Sequence, residues 1–193
     1  MIYALRYDGK KSKIEDRAIQ KNYTRWLLTE SLRRELGRDP DLKQMRFGSH
    51  GKPFLEGVKL SFNLTNCSGL ICCAVHKTEV GIDAETIRAY HPRRTRKVCT
   101  KAETREIEAA ENPAEQFIAF WTLKESLLKY TGDGLGYGPQ NAVFSYRGGA
   151  PKSLSFPDVQ VLQRIEIQNG KKYWISVCTA DLFLDEINYL NHS

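Results

Sequence analysis

NPAEQFIAFWTLKESLLKYTG, Asn112 to Gly132, reads as a helix with both ends marked. Asn112 can cap the first turn, Pro113 suits the first helical position, and Glu115 stands three residues after the cap. Gly132 fits the left-handed position just past the last turn. At roughly 3.6 residues per turn, Phe117, Trp121, Lys124, Glu125 and Leu128 share one face. Glu125 and Lys129 form an (i, i+4) pair in the favourable order. Taken alone, this is also the pattern of a surface helix with an aromatic core stripe and a solvated ion pair. The segment upstream of it shifts the reading.

That segment is VGIDAE, Val80 to Glu85, which the pattern predicts as a strand. Asp83 and Glu85 are two residues apart and so project from one face, with Ile82 and Ala84 on the other. Two carboxylates on one face repel unless a cation, an arginine or a shared proton compensates, or unless the strand is a solvent-facing edge. Before it, Leu60 to Leu64 and Leu70 to His76 read as strands joined by a polar turn, Thr65 to Ser68, and Lys77-Thr78-Glu79 turns the chain into Val80. Still earlier, RFGSHGKPFLEG (Arg46 to Gly57) is rich in glycine. Such backbone lets N–H groups approach an anion closely, and Arg46, His50 and Lys52 add charge. The GxxxxGK[ST] spacing of a P-loop is missing, and a plain hairpin turn fits these residues equally well.

Ile2 to Tyr7 alternates as a short strand, and Ile14 to Leu36 follows a helical pattern that ends at Gly37. Arg25 on that helix is either a solvated charge or a phosphate ligand. After Glu85 comes a basic turn, HPRRTRK (His91 to Lys97), then a helix opened by a capping box from Thr100 to Glu103. Beyond the long helix lie a glycine loop, Gly132 to Gly138, and three strands, Ala142 to Tyr146, Val159 to Ile167 and Lys172 to Thr179, with YRGG and QNGKK as hairpin turns.

A chain of 193 residues is one domain or two closely packed halves, and its 41% apolar content contains no run of membrane-spanning length. The first residues lack the basic-then-apolar pattern of a signal peptide, so a cytoplasmic protein is expected. Five cysteines, with no CxxC spacing, indicate neither a zinc site nor a disulfide framework. The formal charge of +6 favours an acidic partner or a phosphorylated ligand. Nucleic-acid binding through HPRRTRK and the basic first helix is the rival from another class, but the cluster is short and lacks interleaved aromatics.

GKPFL, FNLTNCSGL, VGIDAE and FWTLKESLLKYTGDGL, in this order and spacing from about Arg25 to Gly136, resemble the 4′-phosphopantetheinyl transferases of the larger, surfactin-synthetase-activating type. The resemblance implies an α+β fold that is a pseudo-dimer: two similar α/β halves, 1–95 and 96–193, with the active site in the cleft between them and a monomer in solution. It implies transfer of 4′-phosphopantetheine from coenzyme A to a serine of an acidic acyl or peptidyl carrier protein, with Mg²⁺ and release of 3′,5′-ADP. Asp83, Glu85 and Glu125 match the acidic metal ligands. Lys129 matches the lysine that contacts the pyrophosphate, and Glu125, or a metal-bound water it orients, is the candidate base for the serine. Lys52 matches a coenzyme A phosphate contact and Arg25 the arginine for the 3′-phosphate. Asn63 to Asn66 match the nucleotide-binding turn, whose usual form is FN-x-SH; here Thr65 keeps the hydroxyl and Asn66 replaces histidine, keeping a donor without a positive charge. Arg46, His50 and Lys124 complete the candidate coenzyme A contacts. A non-catalytic coenzyme A or carrier-binding module of the same fold is the alternative, and the intact acidic set argues against it.

Overall fold

The computed structural model describes residues 1–8, 12–146, 149–181 and 186–192. The chain opens with β1 (Ile2–Arg6) and α1 (Lys13–Leu36), which stops at Gly37 in the left-handed region. A short hairpin, β2 (Met45–Phe47) and β3 (Pro53–Leu55), precedes the strands β4 (Ser61–Cys67), β5 (Leu70–His76) and β6 (Val80–Thr86). Three helices follow, α2 (Pro92–Val98), α3 (Lys101–Glu108) and α4 (Pro113–Thr131). The remainder is β7 (Phe144–Ser145), β8 (Lys152–Ser153), β9 (Gln160–Gln168), β10 (Lys171–Thr179) and β11 (Ile187–Tyr189).

Alternation along the strands builds two sheets with two buried faces each. The first has the order β11-β1-β5-β4, and the second β6-β10-β9. Tyr3, Leu5, Phe62, Ile71, Cys73 and Val75 point outward from the first sheet and bury Leu27, Leu28 and Leu32 of α1. Their neighbours Ile2, Ala4, Leu70, Cys72 and Ala74 point the other way and meet Val80, Ile82, Ala84, Ile175 and Val177 of the second sheet. On the far side of that sheet, α4 packs Phe120, Leu123 and Leu127 with Cys178 and Phe144. The layers thus run helix, sheet, sheet, helix. Two strands sit in the sheet distant from their chain neighbours: β6 pairs with β10, and β11 returns to pair with β1 in parallel.

The helix ends fall where the cap residues place them. Asn112 Oδ1 accepts from the Glu115 amide at 3.2 Å, and Gly132 follows α4 at φ 76°. Thr100 and Glu103 form the reciprocal capping box. Asn169 and Gly170, at φ 48° and 71°, make the tight turn between β9 and β10. The YRGG turn lies partly outside the described residues.

Three expectations change. Thr65 to Cys67 are not a turn but the end of β4, paired with Cys72, Ile71 and Leu70, and only Ser68 and Gly69 turn the chain. HPRRTRK is not a basic turn but largely helical, with Pro92 at the first position of α2. The strand expected over 142–146 is cut to Phe144–Ser145, because the Ala142 carbonyl is taken by a lysine side chain and the Phe144 amide by a glutamate. Among the described residues no helix is long and apolar enough to cross a membrane.

Candidate active site

Strands β4 and β6 are edge strands of different sheets, and side chains bridge the seam between them. The amide of Ile82 donates to Asn63 Oδ1 at 3.1 Å, and that of Ala84 to Thr65 Oγ1 at 3.2 Å. Two edge N–H groups that would otherwise be buried and unpaired are satisfied in this way. Into the same seam reaches Lys129. Its ammonium donates to Asp83 Oδ1 at 2.8 Å, to the Ile82 carbonyl at 3.0 Å and to the Leu64 carbonyl at 3.5 Å. The helix can deliver this lysine because residue 81 is glycine. A Cβ there would fall 2.0 Å from the Ser126 carbonyl and 2.3 Å from the Tyr130 amide, so α4 rests backbone to backbone on β6.

Asp83, buried, also accepts from Thr65 Oγ1 at 3.0 Å, again through Oδ1. Its other oxygen, Oδ2, is buried without a hydrogen-bond partner. Glu85 projects from the same strand face and pairs with Arg88. Glu125 faces them from α4. Burial pushes the carboxyl groups of both Glu85 and Glu125 up, and the charge of Asp83 pushes each further; Arg88 opposes this at Glu85, and Lys129 at Glu125. Three acidic groups in one another's field, one with an orphaned buried oxygen, are a donor set that a hard divalent cation would complete. Among the described residues no group of three or more histidine, cysteine, aspartate or glutamate side chains forms a site that could hold a metal ion as placed. The donor types, all carboxylate oxygens, are those of a hard cation such as Mg²⁺, which binds through few carboxylates and keeps several waters.

The candidate residues divide between two hollows. His50, Lys52, Asn63, Glu125 and Lys129 line a cavity of about 220 Å³ closed by Gly132 and Gly134. Arg25 and Asn66 line a broader groove of about 720 Å³ together with Arg17, Lys21 and Phe47. This groove gathers three cationic side chains without an acid. Because Thr65 and Asn66 are strand neighbours they point to opposite sides, so Asn66 is exposed on the groove while Thr65 is buried on Asp83. Thr65 is therefore turned toward the carboxylates and away from the groove.

Arg46 lines neither hollow; it pairs with Glu56 at 3.1 Å and donates to the carbonyls of Lys43 and Met45. Lys124 does not face a ligand at all. It is fully buried, donates to both oxygens of Glu103 at 2.8 Å and also reaches the carbonyls of Ala142 and Pro139. One residue is about 100° of helical rotation, and that step carries Lys124 away from the Glu125 side. Glu103 was legible only as a cap. Gly81 and Glu79, the latter paired with Lys52, gave no local signal because their partners lie on other elements, whereas Arg88 pairs with Glu85 only three residues away.

The model of the 4′-phosphopantetheinyl transferase superfamily matches residues 79–178. A 4′-phosphopantetheinyl transferase from Bacillus subtilis is 24% identical over 159 residues, covering 80% of this chain and 70% of the relative. The 4′-phosphopantetheinyl transferase HetI of Nostoc sp. is 36% identical over 125 residues, 58% of this chain and 51% of that protein. The chain thus spans from about half to about 70% of the length of these relatives. Among solved structures, the holo-[acyl-carrier-protein] synthase of Thermotoga maritima aligns with TM-score 0.43 and 19% identity over 52% of this chain and 62% of that one.

Proposed function

This chain belongs to the 4′-phosphopantetheinyl transferase superfamily, and we propose that it transfers the 4′-phosphopantetheine group of coenzyme A to a serine of an apo acyl or peptidyl carrier protein, releasing 3′,5′-ADP. The observation that carries this reading is the seam itself: Lys129 against Asp83, with Glu85 and Glu125 beside them and a cavity opening on Lys129 and Glu125. A pyrophosphate is a poor electrophile until its charge is neutralised, which Lys129 together with a cation held by the three carboxylates would do.

Asp83, Glu85 and Glu125 would hold Mg²⁺, which when bound would polarise the β-phosphate and offset its charge. The serine oxygen attacks the β-phosphorus, the bond to the α-phosphate oxygen breaks, and 3′,5′-ADP leaves with that electron pair. Glu125, or a metal-bound water it orients, accepts the serine proton. Lys129, a cation on a helix resting directly on β6, balances charge on the departing phosphate. Arg25 and Asn66 receive the nucleotide end in the wider groove, with Arg17 and Lys21 supplying further positive charge.

The pseudo-dimer reading is supported by the layer order, one helix on one sheet twice over, with the seam at the join. In that reading β6 and β11 are the strands exchanged between halves 1–95 and 96–193, and the protein is a monomer. The exposed basic residues of α2 favour an acidic carrier. The test is incubation with apo-carrier protein, coenzyme A and Mg²⁺, followed by mass spectrometry. A phosphopantetheine adduct on the carrier serine is expected, and its absence with several acidic carriers would overturn the assignment.

A further inference from the structure

We infer that Glu79 and Lys52 form a strut that holds the glycine loop at residues 48–52 in place, so that Lys52 acts on a ligand through the position of the loop and not through its own charge. The inference rests on the function proposed above.

An ammonium has three donors, and all three of Lys52 are occupied inside the protein. They go to Glu79 Oε2 at 2.5 Å, the Val80 carbonyl at 3.1 Å and the Tyr130 carbonyl at 3.2 Å. The Tyr130 carbonyl belongs to the last turn of α4, where carbonyls lack helical partners and the helix dipole favours a cation. Ser61 Oγ donates to the same Glu79 oxygen at 3.3 Å, which holds the acceptor in place. The lysine side chain is only 18% exposed, and its Cδ lies where a Cβ on Gly132 would touch it, at 3.7 Å.

This one side chain thus ties the loop to the start of β6 and to the end of α4, the two elements that carry Asp83 and Lys129. The loop closes on itself through the Gly48 amide to the Lys52 carbonyl and the Gly51 amide to the Gly48 carbonyl, both 2.9 Å. It then stands as a partition. His50, Lys52 and Pro53 line the cavity beside Lys129 on one side and a hollow of about 570 Å³ containing Lys59 and Lys77 on the other. For Lys52 to bind a phosphate it would have to leave Glu79 and two carbonyls. Held as it is, it shapes the wall.

A double-mutant cycle separates the two roles. Lys52→Met, Glu79→Ala and the double variant are compared for KM and kcat with coenzyme A, and Glu79→Gln is the conservative control. With a strut, each single change raises KM for coenzyme A about 5- to 10-fold, the scale of one ordinary net hydrogen bond, with kcat nearly unchanged. The double variant is no worse than either single one, and Glu79→Gln recovers part of the loss. If Lys52 instead binds phosphate directly, Glu79→Ala frees it and leaves KM unchanged or lower while Lys52→Met still raises it; that result, or additive losses, overturns the inference. Hydrogen exchange of the Gly48 and Gly51 amides in the ligand-free protein gives a readout independent of any transfer activity. Faster exchange in both single variants supports the strut even if no carrier is modified, and unchanged exchange in both overturns it.

Discussion

Lys129 and Asp83 meet at 2.8 Å in the seam between the two sheets, and they use only one of the two carboxylate oxygens. The other, Oδ2, is buried and without a hydrogen-bond partner. A buried acceptor left unpaired costs about 1–3 kcal/mol, more when charged, so the fold holds an anionic atom in a state that a cation would relieve. Lys129 accordingly both orders Asp83 and leaves half of it available.

Removing that oxygen or its helix partner should end metal-dependent transfer. Asp83→Asn and Glu125→Gln are each expected to lower the transfer rate by about 100-fold or more, at the upper end of what loss of a supporting metal contact costs. Mg²⁺ should raise the melting temperature of the unaltered protein, since a ligand that binds only the folded state stabilises it by mass action. The same titration should give no rise for Asp83→Asn. Transfer at near-normal rate by either variant would remove these carboxylates from the metal site.

Gly81→Ala tests how the lysine is delivered. The added carbon would sit 2.0 Å from the Ser126 carbonyl, 2.3 Å from the Tyr130 amide and 2.9 Å from the Lys129 carbonyl carbon. These are backbone atoms of α4, so the helix itself must move off β6. Overpacking of this kind costs about 1–3 kcal/mol, occasionally more. Denaturant unfolding should show that loss, and transfer should fall further than stability alone explains because Lys129 is displaced from Asp83.

The buried pair Lys124–Glu103 predicts the opposite pattern, a large effect on stability and little on ligand binding. Lys124 is 0% and Glu103 2% exposed. Lys124→Met leaves a glutamate charge uncompensated in the interior and should cost about 3–5 kcal/mol. Lys124→Met combined with Glu103→Gln should recover part of that loss. Coenzyme A affinity of the folded fraction should stay unchanged in both variants, which would be measured by calorimetry below the melting temperature.

What the sequence made legible was local. Cap residues marked the ends of α3 and α4, and the period of two placed Asp83 and Glu85 on one face with Ile82 and Ala84 on the other. What it hid was tertiary. Thr65 and Asn66 read as turn residues because they are polar, whereas the Thr65 hydroxyl is needed in the strand to satisfy the edge of β6. Lys124 shares a helix face with Glu125 within the breadth of a helical stripe, and only its pairing with Glu103 on another helix separates the two. Glycine at 81 looks like any small residue in a strand until a helix backbone is laid on it. Local periodicity constrains which way a side chain leaves the backbone, but not what has been brought to meet it.

The last prediction concerns α2, where Arg93, Arg94, Arg96 and Lys97 are all exposed. Their roles differ by position. The Arg94 guanidinium lies over the Trp121 ring at 5.1 Å and, with Arg88, His91 and Glu85, borders a small hollow at the edge of the carboxylate cluster. Arg94→Glu should therefore disturb the site itself and lower kcat. Arg93 and Arg96 have no such contact with the cluster, and their charges act at longer range. If an acidic carrier protein docks here, Arg93→Glu with Arg96→Glu should raise KM for the carrier about 10-fold and flatten its dependence on salt. Rim charges act chiefly on encounter rate and are screened over about 8 Å at physiological ionic strength. KM for coenzyme A should hardly move, because the groove proposed for the nucleotide is lined by α1, β2 and Asn66 instead. Steady-state kinetics, varying each substrate separately at two salt concentrations, decide the matter. An unchanged carrier KM in the Arg93/Arg96 variant would place docking elsewhere on the molecule.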